Sequence, residues 1–168
     1  MKIVKIGFSK PTYKAKPFPI FSWLIRLFEG TPYSHVYIEF SSKYLNRDLV
    51  YEAAGLCVHF AGGKLFHTQV HVIREFKIQV SDAAYKRALQ FAIDNTEKPY
   101  GVIQVLGLAY VVVMRRLGKR VKNPLGDGKA SYVCSEIVAR MVPSLKKEFK
   151  GRMDTVTPRD IYEKLTDI

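Results

Sequence analysis

Acidic residues are scarce in this chain. Its 168 residues hold 15 Asp and Glu against 27 Lys and Arg, a formal net charge of +12. Such an imbalance draws a protein towards something anionic: nucleic acid, an anionic membrane surface or an acidic cell-wall polymer. Cysteine is scarcer still. Cys57 and Cys134 are the only two, which excludes a disulfide framework and suits reduced thiols in a reducing compartment. Long apolar runs are missing as well. The longest, Gly101 to Met114, is interrupted by Gln104 and falls short of the roughly 20 residues a spanning helix needs. Met1 to Phe8 has no apolar core of the kind a secretory signal carries, so a cytoplasmic place and no transmembrane helix are expected. There is no internal repeat and no low-complexity stretch. Against these absences, 48% hydrophobic and 12% aromatic residues exclude a disordered chain, and the length suits one domain over residues 1–168.

The positive charge is unevenly spread. Arg115, Arg116, Lys119, Arg120 and Lys122 form one cluster, and Lys146, Lys147, Lys150 and Arg152 another. Lys2, Lys5, Lys10, Lys14 and Lys16 scatter over the start. Aromatic residues do not alternate regularly with the cations of these clusters, and the spacing matches no nucleic-acid motif.

Strand patterns crowd the first half: Lys2 to Phe8, Ser34 to Phe40, Leu49 to Ala53, Leu56 to Phe60 and His71 to Ile78. A proline-rich break, Pro11 to Pro19, precedes a short apolar helix from Ile20 to Phe28 that ends at Gly30. The second half reads as helices. Ser81 caps Asp82 to about Asn95, with Tyr85, Ala88, Leu89 and Ala92 on one face. Val102 to about Leu117 follows, then a basic loop from Gly118 to Lys129. Ser135 to about Met141 is the next helix, and Thr157-Pro158 opens the last. Strands first and helices later predict an α+β fold with an antiparallel sheet packed against helices.

Cys134 stands where the extended run Ala130 to Val133 gives way to a helix. The unsatisfied amides and positive dipole end at a helix start favour a thiolate. A cysteine nucleophile also needs a base, which His35 offers. If the loop before Leu49 turns at Asn46 or slightly earlier, Glu52 falls close to Tyr37 and diagonal to His35, on the same sheet face. A carboxylate there fixes the imidazole tautomer and stabilises the imidazolium. Glu39 is a rival for that task, since it shares the parity of His35 and Tyr37.

The order His, then a polar residue one strand later, then Cys opening a helix resembles the circularly permuted, NlpC-type papain-like superfamily. Its YiiX-like members are nearest, and the lecithin:retinol acyltransferase-like proteins more distant. Tyr33-Ser34-His35-Val36-Tyr37-Ile38 looks like that family's histidine strand. Val50-Tyr51-Glu52-Ala53, with Gly55 and Val58 beyond, looks like its second strand. Tyr132-Val133-Cys134-Ser135-Glu136-Ile137-Val138 looks like its nucleophile helix. Lys98-Pro99-Tyr100-Gly101 and Thr157-Pro158-Arg159-Asp160-Ile161 also fit YiiX-like members. The acyltransferase-like branch usually has a second histidine where this chain has Glu52, and a Cys-Glu-His run where this chain has Cys134-Ser135-Glu136.

The resemblance implies a permuted papain-like fold and thiol chemistry on an amide or ester carbonyl. Cys134 is then the nucleophile, His35 the proton carrier and Glu52 its orienter. The expected activity is an amidase or peptidase acting on peptides or cell-wall peptide. The alternatives are a lipid acyl hydrolase or acyltransferase at a membrane surface, and a binding module without catalysis. The Cys134 backbone N–H supplies one oxyanion donor, and Tyr33 is a candidate for the second. No cofactor is expected. His59, His67 and His71 lie near Cys57, but their spacing fits no usual zinc pattern, so no metal site is expected. The apolar helix Ile20 to Phe28 and the cluster Arg115 to Lys122 together suit acyl chains and anionic head groups.

Overall fold

Alternating apolar residues along Lys2–Pro11 (β1) place Val4, Ile6 and Phe8 in the core, and β1 is an interior strand of the sheet, paired on both sides. The computed structural model describes residues 1–12, 19–42, 46–128 and 130–167, with the backbone alone at 19 and 20. Lys14, Lys16, most of the proline-rich break, 43–45 of the loop before β3 and Lys129 lie outside the described residues.

Pro19–Glu29 forms α1, closed by Gly30 at φ +68°. Three strands then run in succession: His35–Ser42 (β2), Arg47–Ala54 (β3) and Cys57–Gly62 (β4). A short helix, Gly63–Gln69 (α2), leads into Val70–Val80 (β5). The helical half comprises Asp82–Asn95 (α3), Val102–Arg116 (α4), Cys134–Met141 (α5), Pro143–Glu148 (α6) and Pro158–Thr166 (α7). The five strands form one antiparallel sheet in the order β4-β3-β2-β1-β5. The fold is α+β, with helices packed on the sheet.

The strand period of two divides β2 between two cores. Val36, Ile38 and Phe40 join Val4, Ile6, Phe8, Tyr51 and Ala53 in the main core. That core meets Ile137, Val138 and Met141 of α5 and the buried faces of α3 and α7. Tyr37 of β2 instead joins Val50 and Phe66 in a smaller cluster under α2. Seven of the eight α5 residues are buried, so this helix is a central pillar rather than a surface element.

Two glycines are fixed by close approach. A Cβ at Gly7 would lie 2.0 Å from Cζ of the buried Tyr37 ring, opposite it across β1 and β2. A Cβ at Gly107 of α4 would lie 1.8 Å from Oδ1 of Asn123, a side chain that ties the loop after α4 to Gln104 and Asp154.

The caps expected at Ser81 and Thr157 are present. Ser81 accepts from the Ala84 amide, and Thr157 and Asp160 form a reciprocal capping box. The α3 face differs in detail. Ala84, Ala88, Ala92 and Asn95 are its buried residues, while Tyr85 and Leu89 pack from the flank. β1 runs three residues beyond Phe8 because a bulge between Phe8 and Ser9 lets it keep pairing with β5 as far as Pro11. Two helices are additional. α2 is seven residues with no apolar period, and α6 opens on Pro143 immediately after α5, where a proline reads as a break but suits a first helical turn.

Candidate active site

Three segments of backbone bring the reactive groups together. The first is the β2–β3 hairpin, whose register pairs Ile38 with Tyr51. Continued by one step, that register sets Glu52 opposite Tyr37 and diagonal to His35, and Glu52 Oε2 lies 2.7 Å from His35 Nε2. The second is the start of α5. Val133 is its N-cap residue and offers no side-chain cap, so the first-turn amides beside Cys134 keep their donor capacity. Cys134 itself is buried, at 3% exposure.

The third segment, Lys98 to Gly101, is stitched to both sides of the cleft. The Val58 amide donates to the Lys98 carbonyl and the Tyr100 amide to the Leu56 carbonyl, 2.8 and 3.0 Å. On the other side the Tyr132 amide donates to Pro99 and the Gly101 amide to Tyr132, 3.1 and 2.9 Å. Buried Gln104 of α4 secures the approach to Cys134 by donating to the carbonyl and hydroxyl of Ser131 and to Asp127. Ser135 Oγ donates to the Val156 carbonyl at 2.6 Å and fixes the first turn of α5 from the other side.

His35 stands between two partners. Burial opposes its positive charge, but side-chain hydrogen bonds with Cys134 and Glu52 outweigh burial and raise its pKa to about 10. Glu52 occupies Nε2, which leaves Nδ1 for the thiol. The imidazolium is therefore the favoured form at neutral pH, held between a carboxylate and a sulfur. That is the arrangement a thiol nucleophile with a general acid–base partner requires.

The other expected residues fall elsewhere. Glu39 is buried, bonded to Lys5 and, at 2.9 Å, to His67 Nε2. The carboxylate on His35 is Glu52. Tyr33 packs in the core, with its ring 5.1 Å from Tyr162 and 5.0 Å from Phe8. Its hydroxyl is pushed up by burial and by Glu29, which places it in the Glu29 neighbourhood.

Tyr100 was not singled out from the sequence. Burial raises its hydroxyl pKa, followed by the charges of Cys134 and then Glu52. It therefore carries a neutral O–H beside the reacting groups. The signal for it was the Lys98-Pro99-Tyr100-Gly101 run, whose proline and glycine mark an extended crossing.

Two hollows meet at Tyr100. One, about 220 Å³, is lined by His35, Glu52, Ser9, Ser34 and Gln69 among others. The other is an almost wholly apolar groove between α1 and α4, walled by Leu24, Ile25 and Phe28 on one side and Val105, Leu106 and Ala109 on the other, with Cys134 also in its lining. Among the described residues, one group of three possible metal ligands converges: Glu39, His67 and Glu75, with ligand atoms within 4.8 Å of one another. Lys5 and the Tyr37 hydroxyl already bond two of its carboxylates, so the donor set is satisfied within the protein. His59 lies instead beside Glu52, and Cys57 is half-buried at the start of β4.

No family model matches this chain, and no curated protein matches it. The chemistry of the site rests on its own geometry. Among the described residues no helix is long and apolar enough to cross a membrane.

Proposed function

We propose that this protein is a cysteine hydrolase of permuted papain-like organisation, cleaving an amide bond in a peptide or cell-wall peptide. The observation that carries the reading is His35 held between Cys134 and Glu52 at the start of α5. The chain order His35, Glu52, Cys134 and its resemblance to permuted papain-like proteins support it.

In this reading the Cys134 sulfur attacks the carbonyl carbon. The oxyanion is met by the Cys134 backbone N–H and by the Tyr100 hydroxyl. His35 gives its proton to the departing amine as the C–N bond breaks, leaving a thioester on Cys134. A water then attacks the thioester and His35 takes its proton; the C–S bond breaks, and the Cys134 thiolate leaves beside the restored imidazolium. Glu52 stays ionised throughout and holds the ring.

One observation favours a second substrate class for the same machinery. The apolar groove that Cys134 helps to line suits an aliphatic acyl chain, which makes a lipid acyl ester or amide the runner-up substrate.

The test is alkylation by iodoacetamide at pH 6, read peptide by peptide in the intact protein. Cys57 is the more exposed thiol, so exposure alone predicts that it reacts first. The proposal requires Cys134 to react faster, and His35→Ala to abolish the advantage. Slower reaction at Cys134 than at Cys57 in the wild type would leave a binding module on the same scaffold as the better reading. Given a reactive Cys134, hydrolysis of peptide amides against acyl esters separates the two substrate classes.

A further inference from the structure

α4 carries a second apolar stripe that the fold does not bury. Ile103, Leu106, Tyr110, Val113 and Leu117 recur at spacings of three and four, which keeps them on one helical face. Trp23 and Leu27 of α1 are one turn apart, and α1 packs beside α4. All seven are between 40% and 67% exposed. Scattered surface apolar residues need no explanation, but seven on two adjoining helices form a patch that marks an interaction surface.

The patch has a charged border. The stripe ends at Leu117, and the chain continues with exposed Lys119, Arg120 and Lys122, with exposed Arg116 beside them. Among the described residues no carboxylate pairs with these four; the nearby ion pair with Asp160 is made by Arg115. Apolar residues including a tryptophan, bordered by unpaired cations in a chain of net charge +12, match the two-layer chemistry of an anionic bilayer. Acyl chains take the apolar face and head-group phosphates take the cations. A peptide or protein partner would need a shaped pocket for each anchor, whereas a single-sided stripe of aliphatic and aromatic residues demands only an apolar layer.

We infer that the α1–α4 face docks on an anionic phospholipid surface through Trp23, Leu27 and the α4 stripe, with Lys119, Arg120 and Lys122 on the head groups. The groove that Cys134 helps to line lies between the same two helices, with Leu106 belonging to both the stripe and the groove wall. A docked protein therefore sets the helices that wall this groove against the bilayer. Docking does not depend on the thiol, so it stands or falls separately from the hydrolase reading.

The test is flotation of the full chain, in its Cys134→Ala form, with vesicles of phosphatidylcholine alone or with one-third phosphatidylglycerol. Binding is expected to the anionic vesicles and to weaken with salt. Each basic residue near such a surface contributes about fivefold to partitioning, so Lys119→Gln, Arg120→Gln and Lys122→Gln together should lower it roughly a hundredfold. Leu106→Asp with Val113→Asp should abolish it; both sites are exposed, and an unchanged melting temperature certifies the fold. Equal flotation of either variant and the parent protein overturns the inference. So does failure of the parent protein to float. Sedimentation equilibrium adds one more outcome: a dimer that Leu106→Asp with Val113→Asp dissociates, without vesicle binding by the parent, gives the face to a second copy and overturns the bilayer.

Discussion

Glu52 and His59 face each other across the β3–β4 ladder, with Glu52 Oε1 3.5 Å from His59 Nε2. The other oxygen of the same carboxylate bonds His35. His59 Nδ1 lies 3.2 Å from the Cys57 carbonyl. A carbonyl can only accept, so Nδ1 donates there, and Nε2 donates to Glu52 when the ring is protonated on both nitrogens. Glu52 is thus held from both sides, and the ring of His35 inherits its position from a pair of strands rather than from a loop. The half-exposed His59 is the softer of the two contacts. His59→Gln is expected to slow Cys134 alkylation two- to fivefold through a looser Glu52, about 0.5–1 kcal/mol. Combined with Glu52→Gln, it should add nothing further, and a double-mutant cycle reads that directly. Additive losses would show that His59 acts elsewhere.

The two buried carboxylates of the β2–β3 region should separate cleanly. Glu52→Gln removes the anion that stabilises the His35 imidazolium, and the expected loss in turnover or alkylation rate is about 10²- to 10⁴-fold. Glu39→Gln leaves the ammonium of Lys5 without its main partner. Its cost is expected in stability, about 1–3 kcal/mol by urea denaturation, with Cys134 reactivity within twofold of wild type. A large kinetic loss from Glu39→Gln would assign the orienting task to the wrong carboxylate.

The sequence made some of this site legible and hid the rest for identifiable reasons. Strand period and turn position put Glu52 diagonal to His35, because antiparallel register follows from where the hairpin turns. Helix start signals placed Cys134 and Thr157 correctly because caps are local. What period could not decide was which of two same-parity carboxylates, Glu39 or Glu52, meets His35: both lie on its face, and Lys5 and His67 come from β1 and α2, remote in sequence. Tyr33 looked near His35 because it is two residues away, yet the chain turns into β2 between them and the ring stacks on Tyr162 of α7. The place of Tyr100 at the site was hidden for the opposite reason, although the run that carries it stood out. It reaches the site only because the Lys98–Gly101 crossing pairs with β4 on one side and with Tyr132 on the other.

Gly7 tests how tightly the sheet face under the site is built. Its absent side chain makes room for the Tyr37 ring, which also donates to Glu75 at 2.9 Å. Gly7→Ala forces a buried ring to move, and a loss of about 3 kcal/mol or more is expected in thermal or urea unfolding. Adding Tyr37→Leu should recover part of it by withdrawing the ring. An alanine tolerated at position 7 without loss would mean that Tyr37 has another place to go, and that the β1–β2 spacing is less constrained than the contact implies.

Glu29 gives the molecule a pH dependence that does not come from its thiol. Its carboxyl ends α1 against α7, where it accepts from the Arg159 amide at 3.0 Å, and it lines the apolar groove. Burial raises its pKa from 4.5 to about 8, with the Arg159 amide pulling the other way. The folded protein therefore keeps this proton up to about pH 8, whereas the unfolded chain releases it near 4.5. Where the folded state binds more protons, stability falls as pH rises. The contribution is whole below 4.5, declines from there to about 8 and is then spent. His35 behaves alike in a higher window, from its ordinary 6.5 to about 10. Glu29→Gln should remove the first decline and keep the second, so the wild type loses a few kcal/mol relative to the variant between pH 5 and pH 8. Urea midpoints at pH 5, 6.5, 8 and 9 measure the difference. A gap between wild type and variant that stays constant over that range would mean the carboxyl is ionised in the folded protein, and a charge at the groove wall would then argue against an aliphatic chain lying beside it.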